Sequence, residues 1–182
     1  MAASMTKTIS GHEAIKFSLS PHLRKCTVPG RPIWIRVSRE YAPLFLRLMV
    51  LLDQVEKLQM RNTWSYNYRA PRMGSGSSVS DHAGYAIDCW SDGIGTHTWP
   101  SKMPAADAKK ISAILKDFKT RSGKLVFGWG ACKDAPGVDY PITYSKHASN
   151  DPMHFYIAPG ITPADAAAVI KALGIRKDGT IA

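Results

Sequence analysis

The chain has 182 residues, of which 45% are hydrophobic and 21% charged, and this is typical of one globular domain with its own core. It contains no apolar run long enough to span a bilayer, no apolar N-terminal stretch that predicts a secretory signal, and no cysteine spacing that predicts a disulfide framework or a cysteine-rich zinc finger. The net charge of +10 predicts attraction to polyanions, either nucleic acid or the anionic bacterial cell wall, and the basic residues are scattered along the sequence.

The first part of the chain predicts one strand and one long helix after a polar N-terminal segment. Residues 1–30 are polar and irregular, and we expect an N-terminal extension, either flexible or packed. The alternating residues 33–37 predict a strand. An amphipathic helix is expected over 40–59, with Ser38 as its cap and Pro43 in its first turn.

Strands and helices follow one another in the rest of the chain. Strands are predicted over 63–69, 84–90, 124–130 and 151–158. Helices are predicted over 105–121 and 162–174. This order predicts an α+β fold in which a small antiparallel sheet is flanked by helices, in a single domain of residues 1–182 with its core at 33–158.

The stretch SDHAGYAIDCW, residues 80–90, contains a candidate pair of metal ligands. Side chains alternate along a strand, so Gly84 and Ala86 share a face with Asp88 and leave room beside its carboxylate, while the opposite face is apolar. A carboxylate among apolar residues needs a charged partner or a metal, because burying it unpaired is costly. His82 can turn onto the same side, although a histidine there is by itself more typical of a turn.

The stretch SNDPMHF, residues 149–155, supplies a further histidine. His154 opens an apolar strand, and taken alone it is more often structural. Together with His82 and Asp88 it completes a His-Asp-His set, which is typical of catalytic zinc with a fourth position kept for water. Asp151, three residues earlier, is the candidate general base for that water.

The other histidines and the cysteines are expected to stay outside this site. Histidines in predicted loops are taken as solvated or incidental, with the last two as reserve ligands: His12, His22, His97 and His147. The cysteines are expected to be reduced thiols, at least two of them buried: Cys26, Cys89 and Cys132. Cys89 faces away from Asp88, so a buried thiol is favoured over a ligand.

The two motifs together resemble the zinc D-Ala-D-Ala carboxypeptidase and L-alanyl-D-glutamate endopeptidase family, which is grouped with lysostaphin-type peptidases and the Hedgehog signalling domain. SDHAGYAID is similar to its motif Ser-x-His-x-x-Gly-x-Ala-x-Asp, with one residue fewer between His82 and Asp88, and DPMHF is similar to its second motif. WSYNYR and FGWG also resemble the peptidase domains of phage endolysins, particularly those of phages of actinobacteria. The resemblance covers residues 33–158.

The resemblance implies a role for each candidate residue. It implies zinc coordinated by His82, Asp88 and His154, with Asp151 as the base. Arg69 would face the substrate and stabilise the oxyanion or bind a peptide carboxylate, with a surface arginine as the equal alternative. Ser80 would orient the loop by hydrogen bonding. The candidate substrate-binding residues are Arg72, Ser80 and Tyr68.

These features predict a monomeric zinc peptidase that cuts the stem peptide of bacterial peptidoglycan. A phage endolysin is expected, made in the host cytoplasm and released to the wall through a pore formed by another protein. The bond that is cut stays open between L-Ala-D-Glu, D-Ala-D-Ala and cross-link bonds. The alternatives are a non-catalytic wall-binding module on the same fold and, less favoured because the charge is scattered, a basic nucleic-acid-binding protein.

Overall fold

A computed structural model describes residues 7–17, 19–53, 62–68, 80–90, 104–131, 137–141 and 151–182. Over these residues the chain has an α+β fold with small antiparallel sheets, as predicted. The elements in chain order are β1 (Leu23–Thr27), β2 (Trp34–Ser38), α1 (Ala42–Leu52), β3 (Asn62–Trp64), β4 (Ala86–Trp90), α2 (Ala105–Asp117), β5 (Phe127–Trp129), β6 (His154–Ile157) and α3 (Pro163–Ala172). Within the described ranges, no helix combines the length and the apolar character that a membrane crossing requires.

A four-stranded antiparallel sheet joins the two sequence motifs. Its strand order is β3-β4-β6-β5, so the strand that carries Asp88 lies directly beside the strand that begins with His154. The register pairs Asp88 with His154 and Ala86 with Tyr156. Residues paired directly across two strands project from the same face, so the carboxylate and the imidazole become neighbours although they are 66 residues apart in the chain.

The opposite face of β4 belongs to the hydrophobic core, as the alternation predicts. Tyr85, Ile87 and Cys89 are buried there, together with most of α1. Phe127 of β5 meets Phe45 of α1 at 5.4 Å between ring centroids, which fixes the helix against the sheet. The site therefore rests on a packed scaffold on one side only.

A second, two-stranded sheet corrects the prediction for the N-terminal segment. β1 lies inside residues 1–30, which were predicted to be irregular, and it pairs antiparallel with β2. Leu23 and Cys26 are buried, and Cys26 joins the main core. The sequence LRKCT has one β-branched residue, Thr27, and no aromatic side chain, so its own strand propensity is weak and its pairing depends on β2.

The long helix begins differently from the prediction. Its N-cap is Tyr41, which provides no side-chain cap, whereas Ser38 ends β2 and its Oγ donates to Glu40 at 2.6 Å. Pro43 lies in the first turn, as predicted. The helix runs to Leu52, and the predicted continuation over 54–59 falls outside the described residues.

Several predicted elements are shorter in the structure. β3 ends at Trp64, and residues 65–68 leave the sheet although the aromatic pattern predicts a strand to 69. α2 ends at Asp117 rather than 121, because Phe118 leaves the helical conformation to bury its ring against Phe127. α3 begins as predicted, with a reciprocal capping box between Thr162 and Asp165.

Candidate metal centre

Three side chains converge on one point where Asp88 of β4 pairs with His154 of β6. His82 Nε2 lies 3.2 Å from Asp88 Oδ1, and His154 Nδ1 lies 2.8 Å from the same oxygen. One ligand atom from each of the three residues lies within 4.8 Å of the others, and the group can hold a metal ion. His82 and Asp88 are buried, whereas the side chain of His154 keeps 17% of its surface exposed. The site is therefore closed on the His82 side and opens to solvent at His154.

A tight turn before β4 brings His82 back toward Asp88. Ala83 N donates to the carbonyl of Ser80 at 3.0 Å, and Tyr85 N donates to that of Asp81 at 2.8 Å. Gly84 has φ of +118°, a conformation that side chains rarely allow, and it completes the turn. The turn closes with one residue fewer than the family motif has, and His82 still reaches the carboxylate.

The ring of His82 is oriented by a backbone carbonyl. Its Nδ1 donates to the carbonyl of Ser65 at 2.7 Å, which places a proton on Nδ1 and leaves Nε2 as the ring atom that faces Asp88. Metal-bound histidines commonly have this second contact, because it fixes both the tautomer and the ring plane. Ser65 is itself held, since its Oγ accepts from Arg36 N of β2 at 2.8 Å.

The segment from Asp151 to His154 is fixed by main-chain hydrogen bonds to β5 and to its own turn. Gly130 N donates to the carbonyl of His154, and Asp151 N donates to that of Gly130, each at 2.9 Å. His154 N donates to the carbonyl of Asp151 at 3.0 Å, and Trp129 Nε1 donates to that of Pro152 at 2.8 Å. A Cβ at Gly130 would lie 2.4 Å from the Asp151 carbonyl oxygen, so only glycine permits this approach.

The three side chains perturb one another's protonation. Burial alone would raise the pKa of Asp88, but hydrogen bonds from His154 and His82, together with their charges, hold it well below its usual range. Burial alone would lower the pKa of His154, but the hydrogen bond to Asp88 and the charges of Asp88, Asp151 and Asp81 outweigh it and raise that pKa. Asp88 is therefore a carboxylate at neutral pH, as a metal ligand must be.

The donor set fits a divalent transition metal. Ligands that share a tetrahedral zinc ion at about 2.0–2.2 Å lie about 3.3 Å from one another. The contacts of 2.8 and 3.2 Å to Asp88 Oδ1 need only a few tenths of an ångström of expansion to match that spacing. Two imidazoles and one carboxylate make up the three protein ligands that are typical of a catalytic zinc site.

Asp151 lies next to the cluster without belonging to it. Its charge acts on His154, yet its carboxylate is not among the ligand atoms that converge on Asp88. The residue is half-buried, at the start of the turn that leads into β6. Its charge helps to raise the pKa of His154, so the carboxylate lies within electrostatic reach of that imidazole.

The structure places the remaining candidate residues unevenly. Ser80 is buried, and its Oγ accepts from His82 N at 3.4 Å within the same turn, which leaves its hydroxyl away from solvent. Tyr68 is half-buried and lies in the segment that follows β3. Arg69 and Arg72 lie outside the described residues.

An N-terminal strap, residues 7–17, packs on the turn that carries His82, and no pattern in these residues predicts this contact. Ser10 N donates to Asp81 Oδ1 at 2.9 Å, and Ile15 N donates to the carbonyl of Ala83 at 3.1 Å. The Ile15 side chain fills the space beside Gly84, where an added Cβ would lie only 2.9 Å away from it. The packed form of the N-terminal extension is therefore the one the structure has.

The other histidines and the cysteines fall largely where expected. His22 is exposed, but His12 is not solvated as predicted, because its ring stacks on Tyr85 at 4.7 Å and Nε2 contacts the carbonyl of Ile157 at 3.1 Å. Cys26 and Cys89 are free and buried, and burial raises the pKa of the Cys89 thiol, which keeps it protonated. His97, His147 and Cys132 lie outside the described residues.

Comparison with known proteins gave no match. No protein-family model fits the chain, no curated protein matches it, and no solved structure matches its fold. The function is therefore inferred from the residues and geometry of the site.

Proposed function

We propose that this protein is a zinc-dependent peptidase that hydrolyses the stem peptide of bacterial peptidoglycan, with the Hedgehog/DD-peptidase type of fold and the role of a phage endolysin. The observation that carries the proposal is the convergence of His82, Asp88 and His154 on one point, with Asp151 fixed beside it. The motifs that resemble the peptidase family are the same two segments that meet across β4 and β6.

In the proposed mechanism, His82 and Asp88 bind the metal and Asp151 transfers the proton. A zinc ion bound here would supply a Lewis acid that activates water and polarises the scissile carbonyl. His82 offers Nε2 because Ser65 holds its other proton, and Asp88 offers a charged oxygen. Asp151 accepts a proton from the attacking water at its carboxylate and returns it to the leaving amine.

Asp151 needs little rearrangement for this task. Its backbone is held on both sides, by Gly130 and by His154, which limits the movement of this segment when substrate binds. In the proposal Arg69 stabilises the oxyanion or binds a substrate carboxylate, Arg72 and Tyr68 line the approach, and Ser80 supports the turn that carries His82. The protein acts at the cell wall as a monomer, and its net charge of +10 favours that anionic surface.

The deciding experiment measures peptide release from purified peptidoglycan by the wild type and by Asp151→Asn. We expect chelation to abolish release and zinc to restore it, and the variant to retain zinc but lose about 10²- to 10⁴-fold in kcat. Asp139→Asn is the matched control, because Asp139 is an exposed carboxylate that pairs with Lys116 and should be dispensable. Mass spectrometry of the new termini identifies the bond.

Two outcomes would contradict the proposal in different ways. Release that is restored by iron(II) but not by zinc would replace the metal, since two histidines and a carboxylate also suit iron(II). Wall binding without any released peptide, in protein that contains zinc, would instead identify a non-catalytic wall-binding module.

A further inference from the structure

The strand pair β1–β2 concentrates positive charge that appears scattered in the sequence. Residues 21–39 contain five basic side chains and no acidic one, so they account for half of the net charge of +10. The basic residues are Arg24, Lys25, Arg31, Arg36 and Arg39. Arg31, in the turn, pairs with Asp53, and the other four lie on or beside the strands.

The outer face of this strand pair, formed by Lys25, Thr27, Trp34 and Arg36, combines the charge with an exposed indole. The register pairs Lys25 with Arg36 and Thr27 with Trp34, so these four side chains project from one side. Trp34 is 50% exposed, and its ring lies 4.3 Å from Lys25 Nζ and 5.9 Å from the Arg36 guanidinium carbon. The three side chains are therefore held together at the surface.

The pairing of Lys25 with Arg36 is unfavourable by itself. Like charges directly opposite each other on neighbouring strands destabilise the pair, and contact with the face of an indole counteracts that repulsion. A carboxylate placed between the two cations would relieve it, and arginine binds carboxylates with two parallel hydrogen bonds. The arrangement is thus suited to an anionic partner.

We infer that the outer face of β1–β2 is a second binding surface for peptidoglycan, which takes its free carboxylates on Lys25 and Arg36 beside the exposed ring of Trp34. This inference rests on the proposed function, because the polymer that carries the peptide for the metal site is then the polymer that meets this face. The surface would hold the protein on an insoluble substrate between cleavage events.

The test measures co-sedimentation with purified peptidoglycan stripped of its phosphate-containing wall polymers, in Asp151→Asn protein treated with chelator. Lys25→Gln/Arg36→Gln and Trp34→Ala should each raise the apparent Kd at least about fivefold. Rising salt should narrow the difference in Kd between the charge variant and the parent protein. Lys171→Gln/Lys177→Gln removes the same charge from exposed positions elsewhere, and Phe17→Ala removes an aromatic ring that is 74% exposed. Both controls should bind like the parent protein.

Hydrolysis of a short soluble stem peptide separates this inference from the proposed function. With otherwise wild-type sequence, the Trp34 and Lys25/Arg36 variants should cleave the short peptide normally and cleave the polymer poorly. If the wild type cleaves neither the short peptide nor the polymer, the proposed function fails. The inference about this face stands if the variants still lose wall binding. The inference is overturned if the variants bind stripped peptidoglycan like the controls, or if only DNA or the phosphate polymers bind in a way that depends on this face.

Discussion

Asp88 Oδ1 contacts both histidines of the site, so this single oxygen joins the three side chains of the cluster. In the absence of metal it accepts from His154 at 2.8 Å and lies 3.2 Å from His82 Nε2. The same three atoms become ligands when a cation replaces the shared protons. The residue therefore both stabilises the metal-free fold and provides the charge that a metal requires.

Asp88→Asn should reduce zinc affinity by more than about 100-fold, because it removes a charged ligand and not merely a supporting contact. The affinity is measured by competition with a chromophoric chelator at pH 7. Asp107→Asn is the matched control, since Asp107 is an equally buried carboxylate that lies near Lys110 in α2, outside the metal cluster. Unchanged affinity in Asp88→Asn would show that the metal binds elsewhere.

At the scale of the element, β5 acts as a support for the segment that contains Asp151. It is only three residues long, yet together with Gly130 it provides the hydrogen bonds that place both Asp151 and His154. The close contact depends on the missing side chain of Gly130. A short edge strand thus determines the distance between the candidate base and the metal ligands.

Gly130→Ala should lower zinc affinity and peptidase activity by on the order of tenfold, because its Cβ would meet the Asp151 carbonyl oxygen at 2.4 Å and displace the segment. Gly160→Ala is the comparison: Gly160 has φ of +76° with open space around it, so alanine should cost about 1 kcal/mol of stability and leave the metal site intact. Equal metal affinity in the two variants would refute the supporting role of β5.

Strand alternation predicted the faces of β4, and hence the room beside Asp88, because a period of two is a local property of the sequence. The contact of Ser65 with His82 could not be predicted, since every residue carries a carbonyl and only the fold selects one. β1 was missed because its sequence has weak strand propensity. The clustering of Lys25 with Arg36 was missed because it depends on the register between two strands.

At the scale of the whole molecule, the titration of the site should be visible in the stability of the metal-free protein. Asp88 has a lowered pKa in the folded protein, so its contribution to stability is complete above about pH 3.9. That contribution is lost as the pH falls through the pKa of the folded state. His154 has a raised pKa in the folded protein, so its contribution to stability is complete below about pH 6.5. That contribution is lost as the pH rises through the pKa of the folded state.

The free energy of unfolding in chelator should therefore be greatest between about pH 4 and pH 6.5. It is measured by urea denaturation across the pH range. In His154→Gln the decline on the alkaline side should largely disappear, because the group that loses its proton there is gone. A wild-type profile that keeps rising above pH 7 would contradict the assignment of the raised pKa to His154.

Ser65 links the strand pair β1–β2 to the metal cluster. Its hydroxyl is bonded to the backbone of β2 beside Arg36, and its carbonyl is bonded to His82. If contact with the wall displaced β2, the position of the His82 imidazole would therefore change as well. Thermodynamic reciprocity then sets a strict condition: by whatever factor attachment to the wall changes the affinity for metal, loading with metal changes the affinity for the wall by the same factor.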